Sequence, residues 1–258
     1  MADLRADCAR CFGLCCVAPA FSASADFALD KPAGQPCPNL AADFRCSIHD
    51  RLRQRGFSGC TVYDCFGAGQ QVAQLTFGGQ DWRDAPETAE SMFAVFPIMR
   101  TLHELLWYLS EALDLRPTPE LRQAFQDTER LTADGPEALL GLDVDAHRAG
   151  VNALLSNLSE LVRADVRGPE LRGADLIGRD FRNADLRGAN LRGALLIGAD
   201  LSRADLRMAD VTGADLRNAQ VSGTNLGTSL FLTQAQLDAA NGDGHTALPS
   251  SLARPARW

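Results

Sequence analysis

All eight cysteines of the chain fall before residue 66: Cys8, Cys11, Cys15, Cys16, Cys37, Cys46, Cys60 and Cys65. They read Cys-x2-Cys-x3-Cys-Cys, then Cys37-x8-Cys46-x13-Cys60-x4-Cys65, and none follows. A set this concentrated, with close local spacing, brings several soft thiolates within reach of a metal centre. Tetrahedral zinc takes four ligands, so eight thiols suffice for two structural sites. An iron–sulfur cluster also takes four thiolates, and three cysteines in tight local spacing plus a distant fourth can hold one. Disulfides are the third chemistry, but Met-Ala-Asp-Leu-Arg-Ala-Asp is no signal peptide, and a reducing cytosol keeps thiols free. The cysteines therefore read as metal ligands, with zinc and iron–sulfur both open. His49, beside Asp50 in an Arg-rich segment, is a lesser candidate, because such a histidine is more often a surface group.

The elements that must position these thiols are legible in outline. Pro86-Glu87 opens a helical block through Met92, Phe93 and Phe96. Ile98, Met99, Leu102, Leu105, Leu106, Leu109, Ala112 and Leu113 continue an apolar face, with Pro97 marking a kink or a new start. Thr118-Pro119-Glu120 has a capping Thr and a Pro at the first helical position, and Asp134-Gly135-Pro136-Glu137 marks another start. His103 and His147 stand isolated on these helices and read as structural.

Beyond them the period changes to five. An apolar residue recurs at Leu161, Val166, Leu171, Leu176, Phe181, Leu186, Leu191, Leu196, Leu201, Leu206, Val211, Leu216, Val221, Leu226 and Phe231. A small residue, most often alanine, sits two positions before each, and the unit reads Ala-Asp-Leu-x-x. Five fits neither the 3.6 of a helix nor the 2 of a strand. Each unit is three residues of extended chain and a two-residue corner such as Arg187-Gly188, so the chain closes into a polygonal coil whose layers stack through backbone hydrogen bonds. Pro169-Glu170-Leu171 and Arg179-Asp180-Phe181 put a rigid or bulky residue where alanine is expected, which predicts a bulge or a wider coil. The open ends of such a stack need covers. Val151, Leu154, Leu155, Leu158, Leu161 and Val162 follow helical spacing before it, so Leu161 can belong to that helix instead. After it, Thr233-Gln234-Ala235-Gln236 has capping-box form, Gly242 is placed to end the helix, and Trp258 is available as an apolar plug.

The net charge of −8 resolves by region: residues 66–160 hold fifteen acids and six bases, whereas residues 161–258 hold eleven acids and twelve bases. Outward Asp165, Asp175, Asp185, Asp200, Asp205 and Asp215 interleave with Arg167, Arg172, Arg182, Arg187, Arg192, Arg203, Arg207 and Arg217, which reads as a solvated, mutually compensated face. Neither that face nor Arg51, Arg53 and Arg55 makes a basic nucleic-acid footprint. No apolar run approaches the roughly 18 residues of a membrane span. Nucleophile-elbow, phosphate-loop and His-Glu-x-x-His motifs are absent, so enzymatic catalysis is unsupported. Lys31 is the only lysine.

Two resemblances add to this reading. Ala164-Asp165-Val166-Arg167-Gly168 and its successors resemble the pentapeptide-repeat family, which implies a right-handed quadrilateral β-helix with four units per coil. Some members of that family protect DNA gyrase by mimicking duplex DNA with a long acidic rod, an activity that a near-neutral column suits poorly. The Cys-x2-Cys-x3-Cys-Cys opening, with Cys37-Pro38-Asn39-Leu40, Cys46-Ser47-Ile48-His49 and Cys60, resembles the YkgJ-type cysteine-cluster proteins, described as zinc- or iron-chelating. By motif position, that resemblance carries ligand roles onto Cys8, Cys11, Cys15, Cys16, Cys37, Cys46 and Cys60. The family has Tyr where His49 stands, and an Arg-Pro pair that is missing before Cys60.

The expectation is an α+β multidomain protein: a Cys-rich metal-binding domain over 1–70, a helical linker domain over 71–162, a pentapeptide-repeat β-helix over 163–233, and a capping helix and tail over 234–258. Its expected function is non-enzymatic, cytoplasmic metal binding through zinc or an iron–sulfur cluster, with the repeat as a scaffold or protein-docking surface. The partners are expected to be proteins, with no direct nucleic-acid contact and no membrane. Two alternatives remain, a topoisomerase-protection protein and an iron–sulfur-dependent redox or modifying enzyme.

Overall fold

Helices organise the first half of the chain, and tight turns organise the second. The computed structural model describes residues 3–258, which divide into two compact units, one ending at Leu155 and one spanning Ser156–Trp258. Short helical turns come first: α1 Leu14–Val17, α2 Ser58–Thr61 and α3 Ala68–Gln70, with 3-10 turns at His49–Arg51 and Arg53–Arg55 and a π-helical turn at Gln71–Thr76. The long elements are α4 Pro86–Leu115, α5 Pro119–Leu131, α6 Pro136–Leu140 and α7 Val144–Arg163, and α8 Gln234–Ala239 closes the series.

The helix starts follow from local chemistry. Pro86, Pro119 and Pro136 occupy first-turn positions, where a missing N–H costs nothing, and the Thr118 hydroxyl accepts the Leu121 N–H at 3.3 Å. Pro97 neither ends α4 nor restarts it. It lies on the exposed side of the helix, which runs through it without a break. The opposite side of α4 buries Met92, Val95, Phe96, Met99 and Leu102 against Leu14, Val17, Ala68 and Val72, so the cysteine-bearing turns and the helices share one core. His103 is fully buried with Nδ1 2.7 Å from the Phe66 carbonyl, and His147 Nε2 lies 2.9 Å from the Thr128 hydroxyl; both are structural contacts.

In the repeat unit the expected α+β class with a β-helix is corrected. Among the described residues there is no β-strand and no sheet. The repeats pair only through isolated parallel bridges twenty residues apart, from Glu170 with Asn190 and Asp175 with Leu195 up to Asp210 with Leu230. The reason lies in the unit itself. The second corner residue takes a left-handed conformation at Gly173, Gly178, Asn183, Gly188, Gly193 and Gly198, and even at Arg203 and Met208. Extended pairing is therefore cut off after one residue and never propagates into a strand. What remains is a stacked coil of turns that returns to register every twenty residues. Its hydrogen bonds run between layers, such as Leu191 N–H to the Asp210 carbonyl at 2.8 Å and Gly193 N–H to Thr212 at 2.9 Å.

The inward register is close to the expected one. Leu191, Leu196, Leu201, Leu206, Val211, Leu216 and Val221 are buried with the alanines of their units, and Leu226 with Thr224. Burial begins at Leu176; Leu161 lies on α7 and is 60 % exposed, because the helical period sets its direction. Of the bulge or wider coil expected at these units, no bulge interrupts the ladder. Asn190 N–H reaches the Pro169 carbonyl and Asp200 N–H reaches the Arg179 carbonyl, both at 2.9 Å, so the backbone of each irregular unit keeps its register. Phe181 and Leu171 are accommodated by staying half-buried.

The capping box forms, with Thr233 and Gln236 exchanging backbone and side-chain bonds, and Gln236 Nε2 also donates to the Val211 and Ala214 carbonyls. α8 ends at Ala239, before Gly242. Gly242 is needed for another reason: a Cβ there would stand 2.6 Å from the indole of Trp258, which packs against the coil core. The tail prolongs the ladder through Asn241 beneath Gln220 and Ala247 beneath Asn225.

Candidate functional site

The eight thiols are all free and all belong to the first unit, on short turns rather than long helices. Gly13 takes a left-handed conformation that turns the chain into α1, which carries Cys15 and Cys16 with their sulfurs 3.9 Å apart. Cys11 comes in beside Gly69 of α3, so close that a Cβ on Gly69 would lie 2.7 Å from the Cys11 Cβ. Gln70 ties the leading segment down, donating to the Arg5 carbonyl at 2.7 Å and accepting the Asp7 N–H at 3.1 Å. The Arg100 guanidinium donates to the Asp64 carbonyl at 2.8 Å, which fixes the backbone next to Cys65.

These turns converge on a cavity of about 20 Å³ lined by Cys8, Cys11, Cys15 and Cys65 together with Asp7, Gly69 and Phe96. That is room for about one water molecule or one ion. The thiols around it are electrostatically unequal. A hydrogen bond from Cys11 lowers the pKa of Cys8 to about 6, helped by the charge of His49, whereas the same contact and burial raise that of Cys11. Contact with Cys16 and burial raise Cys15, and burial raises Cys65.

The other four thiols gather nearby on different contacts. Cys37 N–H donates to the Cys16 carbonyl at 2.9 Å, and Leu40, whose N–H bonds the Cys37 carbonyl, forms an antiparallel bridge with Cys46. Cys46 and Cys60 pack on one apolar cluster of Ile48, Leu52 and Phe57. Lys31 is buried, 3 % exposed, with its ammonium donating to the carbonyls of Val17, Pro32 and Gln35 at 2.9–3.1 Å and lying 5.5 Å from the Phe21 ring. Burial lowers the Lys31 pKa while Cys37 and Cys16 raise it. Contact with Cys15 and the Lys31 charge lower that of Cys16, and burial pushes Cys60 up to about 12.

Among the described residues, no three His, Cys, Asp or Glu side chains stand in a metal-ligating arrangement. The donor chemistry nonetheless fits a soft metal, since thiolate sulfur is the preferred ligand of zinc and iron–sulfur centres. His49 is exposed on its 3-10 turn. Sequence reading passed over Gly69, Gln70 and Lys31. The burial of Lys31 had one available signal, its being the only lysine in a chain rich in arginine.

The repeat unit offers a different kind of surface. Asp180 with Arg182, Asp185 with Arg187, Asp205 with Arg207 and Asp215 with Arg217 pair at 2.6–2.7 Å along its outside. The Arg182 and Arg187 side chains hold Asp180 and Asp185 down at about 2. One pair is internal: Arg192 bonds the fully buried Asp210 at 3.0 Å and Thr212 at 2.9 Å, and Thr212 in turn donates to Asp210. The pattern breaks at Ile177 and Leu195, which are exposed apolar residues where other units carry charge.

No helix among the described residues is long and apolar enough to cross a membrane. Eight copies of the pentapeptide-repeat family model match residues 159–196 and 194–231. The chain is 60 % identical over 265 aligned positions to the uncharacterized protein YybG of Bacillus subtilis, covering 99 % of this chain and 95 % of that one. Among solved structures it is similar to a pentapeptide repeat protein of the Arabidopsis thaliana thylakoid lumen, with 32 % identity over 34 % of this chain and 63 % of that one, at a TM-score of 0.23. A pentapeptide repeat protein of the cyanobacterium Cyanothece 51142 matches at 30 % identity over 31 % of this chain and 60 % of that one, at a TM-score of 0.18. The chain thus spans less than two thirds of either solved relative. Residues 159–231 are pentapeptide repeats by both their five-residue register and the family-model match, and over its full length the chain belongs to the same family as YybG.

Proposed function

We propose that this protein binds a soft metal through its amino-terminal thiols and uses the repeat unit as a scaffold or protein-interaction surface. The observation that carries the metal reading is the convergence of Cys8, Cys11, Cys15 and Cys65 on one ion-sized cavity. The resemblance of the Cys-x2-Cys-x3-Cys-Cys segment to the YkgJ-type proteins supports the same reading. A bound metal would cross-link turns that are too short to hold one another by helical hydrogen bonds, and an iron–sulfur cluster would add redox chemistry. Eight free thiols suit a reducing, cytoplasmic setting. The interaction role is supported by the exposed Ile177 and Leu195 on an otherwise charge-compensated column, a surface that favours protein over phosphate backbone.

Anaerobic purification followed by metal analysis and a visible absorption spectrum tests the metal reading. Bound iron with acid-labile sulfide and a broad visible band identifies a cluster, and stoichiometric zinc without colour identifies a structural site. Protein purified in this way with neither metal refutes the proposal.

A further inference from the structure

We infer that the eight thiols form two four-sulfur sites, one of Cys8, Cys11, Cys15 and Cys65 and the other of Cys16, Cys37, Cys46 and Cys60, set back to back at the Cys15–Cys16 step. The inference rests on the proposed metal binding and adds the grouping, which chain order does not suggest. By order, the opening four cysteines would form one set and the remaining four the other. The fold divides them differently: Cys15 lines the cavity and Cys16 does not, although their sulfurs stand 3.9 Å apart on the single turn of α1. Cys15 shares the cavity with Cys8, Cys11 and Cys65. Cys16 instead lends its carbonyl to Cys37, and the chain from Cys37 leads through Leu40 to Cys46. Cys60 joins this second set through the apolar cluster it shares with Cys46.

Lys31 supplies an independent observation. A buried ammonium is costly unless negative charge lies close by, and its three hydrogen-bond partners here are neutral carbonyls. Beyond these Lys31 has the Phe21 ring 5.5 Å away but no charged partner among the described residues, and a divalent metal held by four thiolates, with a net charge of about −2, would supply one. Lys31 donates to the carbonyl of Val17, next to Cys16, and to that of Gln35, two residues before Cys37, and both thiols belong to the second set. The first set has its own fitted feature in Gly69, whose missing side chain admits Cys11 to the cavity wall. Metal binding would deprotonate the thiols of each set, release those protons to solvent, and draw the sulfurs closer than they stand without metal.

The test uses the full-length protein, reduced and loaded anaerobically with zinc chloride alone. Native mass spectrometry of the wild type is expected to show two zinc ions per chain. With one equivalent of zinc, mapping the thiols protected from iodoacetamide is expected to show Cys8, Cys11, Cys15 and Cys65 rising together, and Cys16, Cys37, Cys46 and Cys60 rising together. The Cys11→Ser/Cys65→Ser double variant is expected to lose one zinc, and Cys11→Ser/Cys46→Ser both. Protection that groups Cys16 with Cys8, Cys11 and Cys15, or a single zinc shared across the sets, overturns the grouping and leaves the metal reading standing. A wild type that binds no zinc overturns the inference, and absence of any metal after anaerobic purification removes the reading beneath it. Protection mapping needs no variant to fold, so it decides the grouping even if the serine variants aggregate. Lys31→Met gives a separate readout: zinc is expected to be lost more readily from the second set than from the first, and equal retention by both sets counts against the counter-charge role.

Discussion

The two units solve the same problem, holding irregular backbone in place, by opposite means. The repeat unit uses repetition: every five residues supply an inward apolar side chain, a turn and an interlayer hydrogen bond, so each layer is a template for the next. The amino-terminal unit uses individual contacts that occur once each, such as Gln70 on Arg5, Arg100 on Asp64 and Lys31 on three carbonyls. Repetition gives stability without a site, whereas the singular contacts bring eight thiols together without regular structure around them. The proposed metal would therefore cross-link the unit whose turns have no repeating neighbour to hold them.

Removing metal should separate the units most sharply. Anaerobic incubation with a strong chelator is expected to abolish the cooperative thermal transition of the amino-terminal unit and leave that of the repeat unit in place. Structural zinc contributes on the order of 10 kcal/mol or more in small domains. Differential scanning calorimetry checks this, and equal loss of both transitions would break the comparison.

The repeat unit has its own vulnerable point at the internal ion pair. Asp210→Ala leaves the Arg192 guanidinium buried and unpaired and is expected to cost about 3–5 kcal/mol, measured by urea denaturation. Leu196→Ala, at a fully buried position of the same core, is expected to cost about 2–5 kcal/mol by the same measurement. If repetition shares the load between layers, that loss should fall at the lower end, because neighbouring layers can settle into the cavity. A smaller and more local effect is expected from Gly69→Ala, where the added methyl meets Cys11 and costs about 1–3 kcal/mol. Its diagnostic is a lower zinc content with an unchanged repeat-unit transition.

The smallest expected effect is electrostatic. Asp180 and Asp185 are held at about 2, below the ordinary 3.8, so their contribution to stability is complete above about pH 4 and is lost as the pH falls toward 2. Denaturation of the repeat unit between about pH 4 and pH 2 should show this loss, and the Arg182→Ala/Arg187→Ala variant should show a shallower dependence. Both acids are fully exposed, so the effect is modest and fades with added salt.

How much of this was legible in the sequence differs between the units for the same reason that their stabilities do. The inward register from Leu176 to Phe231, the capping box at Thr233 and the helix start at Thr118 depend on neighbours a few residues apart, and all are present. The β-helix expectation failed because family-level architecture was read as strand content. In this chain the left-handed corner in each unit limits pairing to single bridges. Where a bulge or a wider coil was expected, at Pro169 and Arg179, the ladder keeps its register because interlayer bonding there uses carbonyls that any residue supplies, proline included. The continuity of α4 through Pro97 was not legible, because it depends on which side of the helix meets solvent.

By itself, the sequence determined that this chain repeats every five residues, that its thiols are confined to the first sixty-five, and that the excess acid lies between the two. These are properties of composition and period, which need no knowledge of distant contacts. Only the tertiary structure decided that Cys65 meets Cys8, Cys11 and Cys15 around one cavity, that Lys31 is buried, and that Asp210 is internal to a column whose other acids face water. Each of these joins segments from fourteen residues apart, Lys31 with Val17, to fifty-seven, Cys8 with Cys65, or depends on how the layers stack, and no local pattern encodes such a meeting.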